Sequence, residues 1–256
     1  MPANPRRTTA LSAAILAVLG AAAPAAAVAA PAAAALNAPA QSLAAHVTDP
    51  HGRILNSSSS NWAGYAATGS KFTSITASWT QPSVSCGSST TYSSFWVGLD
   101  GDGSNSVEQT GTEADCSGGS PVYSSWYEMY PKYPVNFSNT VRPGDKFTAT
   151  VTTNGSGSFT LTLANNTEGW TKTVNATLKS AALASAEVIA EAPSSSSGVL
   201  PLSNFGTVNF SGSKANGQSI GNFSPDQINM ASGSTTKATT SSLSSGTAFS
   251  VTWKHS

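Results

Sequence analysis

Glu187 and Glu191 stand four residues apart in SAEVIAEAP, among small and apolar neighbours. In an extended strand side chains alternate between faces, so Glu187, Ile189 and Glu191 share one face and Ala186, Val188 and Ala190 the other. The same parity groups Trp96, Gly98 and Asp100 in SSFWVGLDG, and Trp126, Glu128 and Tyr130 in SSWYEMY. Opposite these lie Phe95, Val97, Leu99 and Met129, suited to a core. Carboxylates between indoles are the makings of an acid–base site, in which one carboxylate takes a proton from water and returns it to a leaving group. In NSVEQTGTEADC, Val107, Gln109 and Gly111 alternate with Glu108 and Thr110. The Gln109 amide is a neutral donor that steadies developing negative charge, and it keeps donating in acid.

What the chain lacks narrows the chemistry. Its three histidines are His46 and His51, far upstream, and His255 near the end. A Ser-His-Asp triad needs a histidine seated in the site, and zinc hydrolases need two or three as ligands. Neither is expected here, so no metal and no cofactor is assigned. Cys86 and Cys116 are the only cysteines, which in an exported chain predicts one disulfide. A thiol nucleophile has no base in sight.

The elements that must position these groups are strands. From about Ser58 the chain is an array of short alternating segments rich in Thr, Val, Phe, Tyr and Trp, punctuated by Gly, Pro and Asn. In KFTATVTTNGSGSFTLTL the Asn154-Gly155 pair marks a hairpin turn. No amphipathic helix of three turns is found. The fold class predicted is all-β, an antiparallel β-sandwich of two sheets of the concanavalin-like jelly-roll kind, with one wet sheet face open for function.

Residues 1–30 carry two arginines, an apolar run and small residues, and read as a secretory signal peptide. Residues 31–57 are Ala-rich and polar, a propeptide or linker; 58–256 form the sandwich domain. The apolar run is too weak and interrupted to anchor in a membrane, so a secreted, extracellular protein with no membrane association in its mature form is expected. Only 9% of residues are charged, against a usual figure of about 25%, and twelve Lys plus Arg balance twelve Asp plus Glu. No basic patch points to nucleic acid, and a monomer is expected.

Taken in order, SSNWAGYAA at 59–67, TASWTQPSVSC, FWVGLDGDG, VEQTG, SSWYEMYP, SAEVIAEAP and FGTVNF at 205–210 resemble the glutamic peptidases, also called eqolisins. The resemblance covers nearly the whole chain after Ser58. It implies a secreted, acid-acting endopeptidase on a sandwich of two antiparallel sheets, with proteins or peptides as substrates. Residue by residue, it places the catalytic glutamine on Gln109 and the catalytic glutamate on Glu191. Trp62, Trp96, Asp100, Trp126 and Glu128 match cleft positions, and Glu187 is support. Val188 and Ala192 depart from the fungal pattern, which has a Trp and often an acidic residue there; this bears on substrate preference.

The mechanism so implied needs no metal and no covalent intermediate. Glu191 activates a water, Gln109 donates to the oxyanion, and Glu191 then protonates the leaving amine. Asp100 and Glu128 are expected to hold Gln109 or the cleft by hydrogen bonds. A free glutamate titrates near about 4.3, so the expected optimum lies below about pH 5. The residues alone also accommodate a jelly-roll glycoside hydrolase using Glu128 and Glu191, or a non-catalytic carbohydrate-binding module.

Overall fold

The computed structural model describes residues 57–256. The expected signal peptide, and His46, His51 and Arg53 of the expected propeptide, lie outside the described residues. In chain order the strands are β1 (Ser57–Ser59), β2 (Trp62–Ala67), β3 (Ser74–Thr80), β4 (Ser94–Leu99), β5 (Val107–Ser117) and β6 (Ser120–Tyr130). The short edge strand β7 (Val135–Asn136) precedes β8 (Lys146–Thr153), β9 (Ser158–Asn165), β10 (Trp170–Thr177) and β11 (Ala186–Glu191). A small hairpin of β12 (Ser194–Ser195) and β13 (Gly198–Val199) leads to β14 (Thr207–Ala215) and β15 (Gln218–Ser219). One 3-10 turn, Ile220–Phe223, then precedes β16 (Asp226–Ser232), β17 (Thr235–Thr240) and β18 (Phe249–Trp253).

Alternation makes these strands. In β8 and β9, Phe147, Ala149, Val151, Phe159, Leu161 and Leu163 turn inward and are buried. Their threonine neighbours face outward, where Thr76 and Thr150 meet at 2.9 Å and Ser78 and Thr148 at 2.8 Å. The turn at Asn154 is fastened by its own side chain, whose Oδ1 accepts the N–H of Ser156 at 2.8 Å. Burying each large apolar side chain contributes about 1.5–3 kcal/mol.

The ladder runs β10-β9-β8-β3-β14-β18-β17-β16-β2-β11-β4-β5-β6-β7, antiparallel along this whole path. It doubles back so that β4 and β5 pack on β8 and β9, and β11 on β3 and β14. The antiparallel sandwich is thus present, with its two layers continuous through β18, β17 and β16. Cys86 and Cys116 form the predicted disulfide, tying the loop before β4 to the end of β5 across 5.5 Å between Cα atoms.

The main core lies between the layers and takes in Phe95, Val97, Leu99 and Met129, as parity required. A second apolar cluster occupies the other face of the β2-β11-β4-β5-β6 layer: Trp62, Ala66, Trp96, Val107, Trp126, Ile189 and Ile228. Strands β2, β4 and β11 are therefore buried on both faces. The expected wet face is found on β8, β9 and β10 instead, and Trp62, Trp96 and Trp126 are buried.

Candidate active site

Strand pairing arranges the second face in three rows. The first reads Trp62, Glu191, Ser94, Glu113, Ser124; the second Ile228, Gly64, Ile189, Trp96, Gly111, Trp126; the third Asp226, Ala66, Glu187, Gly98, Gln109, Glu128. Successive rows are two residues, or roughly 7 Å, apart along the strands. Glu191 and Gln109 therefore share a face but sit diagonally, two strands and two rows apart. Trp96 spans the gap. Its Nε1 donates to Glu191 Oε2 at 2.7 Å, while its ring lies over Gly98, where an added Cβ would come within 2.9 Å of Trp96 Cζ3 and 3.2 Å of Gln109 Cβ. Gly111 leaves room for the rest of Trp96: a Cβ there would lie 2.6 Å from the Trp96 Cβ.

Glu191 is 4% exposed, and both of its oxygens accept N–H groups: Oε1 from Asn61 Nδ2 at 3.1 Å and Oε2 from Trp96. Burial pushes its carboxyl up to about 7; these donors, and the Trp62 indole at longer range, oppose the rise, while the charge of Glu113 adds to it. Gln109 is 1% exposed, and its Nε2 donates to Glu128 Oε2 at 2.6 Å. Burial pushes Glu128 up to about 8; the Gln109 hydrogen bond opposes this and the Glu191 charge reinforces it. Among the described residues, Gln109 Oε1 and the indole N–H groups of Trp62 and Trp126 are buried without a hydrogen-bond partner. Orphaned polar atoms of this kind are uncommon in folded proteins, and these belong to side chains on the sheet face that carries Glu191, as do the two unpartnered oxygens of Glu187.

The remaining predicted residues divide. Glu187 shares the row of Gln109 but is fully buried, and burial, with the charges of Asp102, Asp100 and Glu108, pushes its carboxyl well above the usual range. Asp100 does not support Gln109. Its positive φ of 67° takes it out of strand parity, and its oxygens accept the backbone N–H groups of Ala182, Leu183 and Ala184 at 2.8–3.0 Å, fastening the approach to β11. Of the two residues expected to hold Gln109 or the cleft, Glu128 bonds Gln109 and Asp100 fastens the segment that leads into the Glu191 strand.

Two further residues belong to this face or touch it. Glu113, on the row of Glu191, accepts the Ser124 hydroxyl and is pushed upward by burial. Parity marks it, since it follows Gln109 by four residues. Asn61 lies in the turn before β2, where no periodicity operates, so only its place beside Trp62 in SSNWAG hinted at it.

Comparison with known proteins gives concordant results. The family model described as the Peptidase A4 family matches residues 60–253. Aspergillopepsin-2 of Aspergillus niger is 33% identical over 181 residues, 61% of this chain and 64% of the relative. Scytalidopepsin B of Scytalidium lignicola is 38% identical over 112 residues, 43% of this chain and 42% of the relative. The chain thus spans less than two thirds of the length of either. A crystal structure of scytalido-glutamic peptidase with a transition state analog inhibitor superimposes with a TM-score of 0.68 at 28% identity, covering 76% of this chain and 98% of that one. With the family model matched along nearly every described strand, the chain belongs to the Peptidase A4 family.

Proposed function

We propose that this protein is a secreted acid endopeptidase in which Glu191 and Gln109 hydrolyse peptide bonds by direct attack of water. The observation that carries the reading is the asymmetry between the two cleft carboxyls. Glu191 accepts N–H donors on both oxygens, from Asn61 and Trp96, whereas Glu128 accepts one, from Gln109. Two N–H donors stabilise the ionised form of Glu191, whereas Glu128 is engaged with Gln109, so Glu191 is the one suited to be a base.

A water between Glu191 and the scissile carbonyl gives its proton to Glu191 as its oxygen bonds to the carbonyl carbon. The carbonyl π electrons move onto oxygen, and Gln109 Nε2, held by Glu128, donates to that oxyanion. The C–N bond then breaks, and the proton on Glu191 passes to the departing nitrogen. The orphaned N–H groups of Trp62 and Trp126 are suited to carbonyl groups of an extended peptide. A water donating to Glu191 stabilises its ionised form and lowers its value. The working range therefore lies on the acid side of neutrality, while the cleft carboxyls with higher values remain uncharged.

A glycosidase pairing Glu128 with Glu191 would leave Gln109 without a role, whereas Gln109 Nε2 donates to Glu128 Oε2. The relative crystallised with a transition state analog inhibitor is a peptidase, and this favours peptides as substrates here. Digestion of an unfolded protein and of polysaccharide at acid pH tests the assignment: the first should be cut and the second left intact.

The segment before Ser57 carries His46, His51 and Arg53, against eleven acids and nine bases from Ser57 onward. An inhibitory propeptide that covers the cleft near neutrality and leaves on acidification accords with these charges. A chain begun near Ser58 should then be more active near neutrality than the unprocessed form, and equal activity at every pH would remove the inhibitory role.

A further inference from the structure

Glu191 is held from the amino-terminal side by a chain of hydrogen bonds that the Glu191–Gln109 pair does not itself contain. Ser59 closes β1, Asn61 lies in the turn before β2, and both are buried. Ser59 Oγ accepts the backbone N–H groups of Asn61 at 3.3 Å and Trp62 at 3.1 Å. A serine hydroxyl has two lone pairs and one hydrogen. With both lone pairs engaged, the hydrogen goes to Asn61 Oδ1, 3.1 Å away. This decides which way the Asn61 amide faces: Oδ1 toward Ser59, and Nδ2 toward Glu191 Oε1 at 3.1 Å.

We infer that Asn61, oriented by Ser59, is a positioning residue that aims the Glu191 carboxylate and favours its ionised form. The inference rests on the reading of Glu191 as the base. The groups acting on Glu191 come from every strand around it. Asn61, Trp62 and Trp96 donate or offer N–H groups; Glu113 on β5 and Glu128 on β6 bring only negative charge when ionised. The donors therefore decide whether a buried carboxylate can exist there at all. Strand β1 is fixed in turn by parallel pairing with β16, and the Ser57 N–H donates to Asp226 Oδ1 at 3.0 Å. The first described strand is thereby built into the site.

The test compares wild type with Asn61→Ala, Ser59→Ala and Ser59→Thr, using an unfolded protein substrate across the acid range. The Trp96 indole 1H–15N resonance serves as a second reading, because this group donates to Glu191 and reports its titration without turnover. Asn61→Ala should lower kcat by about tenfold or more, the loss expected when a hydrogen bond to a charged group is removed, with little change in KM. The acid limb of the profile and the Trp96 midpoint should both move to higher pH. Ser59→Ala should give a smaller shift in the same direction, and Ser59→Thr, which keeps the hydroxyl, should restore the wild-type values.

A folded Asn61→Ala protein with an unmoved limb and midpoint overturns the inference, whether or not kcat falls, because a merely structural role would change neither. Should Asn61→Ala fail to fold, the Ser59→Ala and Ser59→Thr pair decides by the same two readings. Wild type that cuts no peptide bond in acid overturns the reading beneath the inference. That result is distinguishable, since it concerns the wild type and not the contrast between variants.

Discussion

Trp96 Nε1 donates to Glu191 Oε2 at 2.7 Å, and the same indole covers Gly98 beside Gln109. One side chain thereby joins the two polar groups that strand register leaves diagonal to each other.

Replacing Trp96 by Phe keeps an aromatic ring but removes this donor. Hydrogen bonds to charged groups contribute about 1.5–3 kcal/mol, so kcat/KM at a pH where Glu191 works as base should fall by roughly ten- to a hundredfold. The acid limb should also move upward, because the ionised form has lost a donor. Steady-state kinetics of the folded variant against pH checks both.

Gly98→Ala should disturb the same joint from below. The added methyl would lie 2.9 Å from Trp96 Cζ3 and 3.2 Å from Gln109 Cβ, and overpacking of this order costs about 1–3 kcal/mol. Thermal unfolding should register the loss, and kcat should fall more than a distant substitution of equal destabilisation would cause.

Stability should depend on pH in an unusual direction. Glu108 and Glu128 stand at about 8 and Glu191 at about 7 in the folded protein, each raised chiefly by burial from 4.5. Between 4.5 and about 8 the folded state therefore binds more protons than the unfolded one, and stability falls as pH rises. It is fullest below 4.5 and is lost progressively through about 8. Melting temperatures across this range should decline from acid to neutral, with no compensating maximum near pH 7.

The legible part of this molecule was what period two controls. Parity alone separated Phe95, Val97 and Leu99 from Trp96 and Gly98, and Glu187 and Glu191 from Val188; the two apolar clusters divide along that line. Parity says nothing about what covers a face, so the burial of Trp62, Trp96 and Trp126 was not legible. It also ends where strands end. Asp100, at a positive φ, leaves the cleft for the loop before β11, and Asn61 reaches Glu191 from a turn. The diagonal offset of Glu191 from Gln109 depends on how β4 aligns with β5 and β11, which no local pattern encodes.

The central claim is that Glu191 is the base and Gln109 the oxyanion donor, and turnover of the two single variants on an unfolded protein at acid pH tests it most directly. Glu191→Gln keeps the shape of the side chain and cannot take the proton from water, so kcat should fall at least about a hundredfold. Gln109→Ala removes one oxyanion donor and should cost about a hundred- to a thousandfold in kcat, with KM less affected. Both proteins should remain folded by circular dichroism. Near-wild-type kcat in either folded variant would contradict the account.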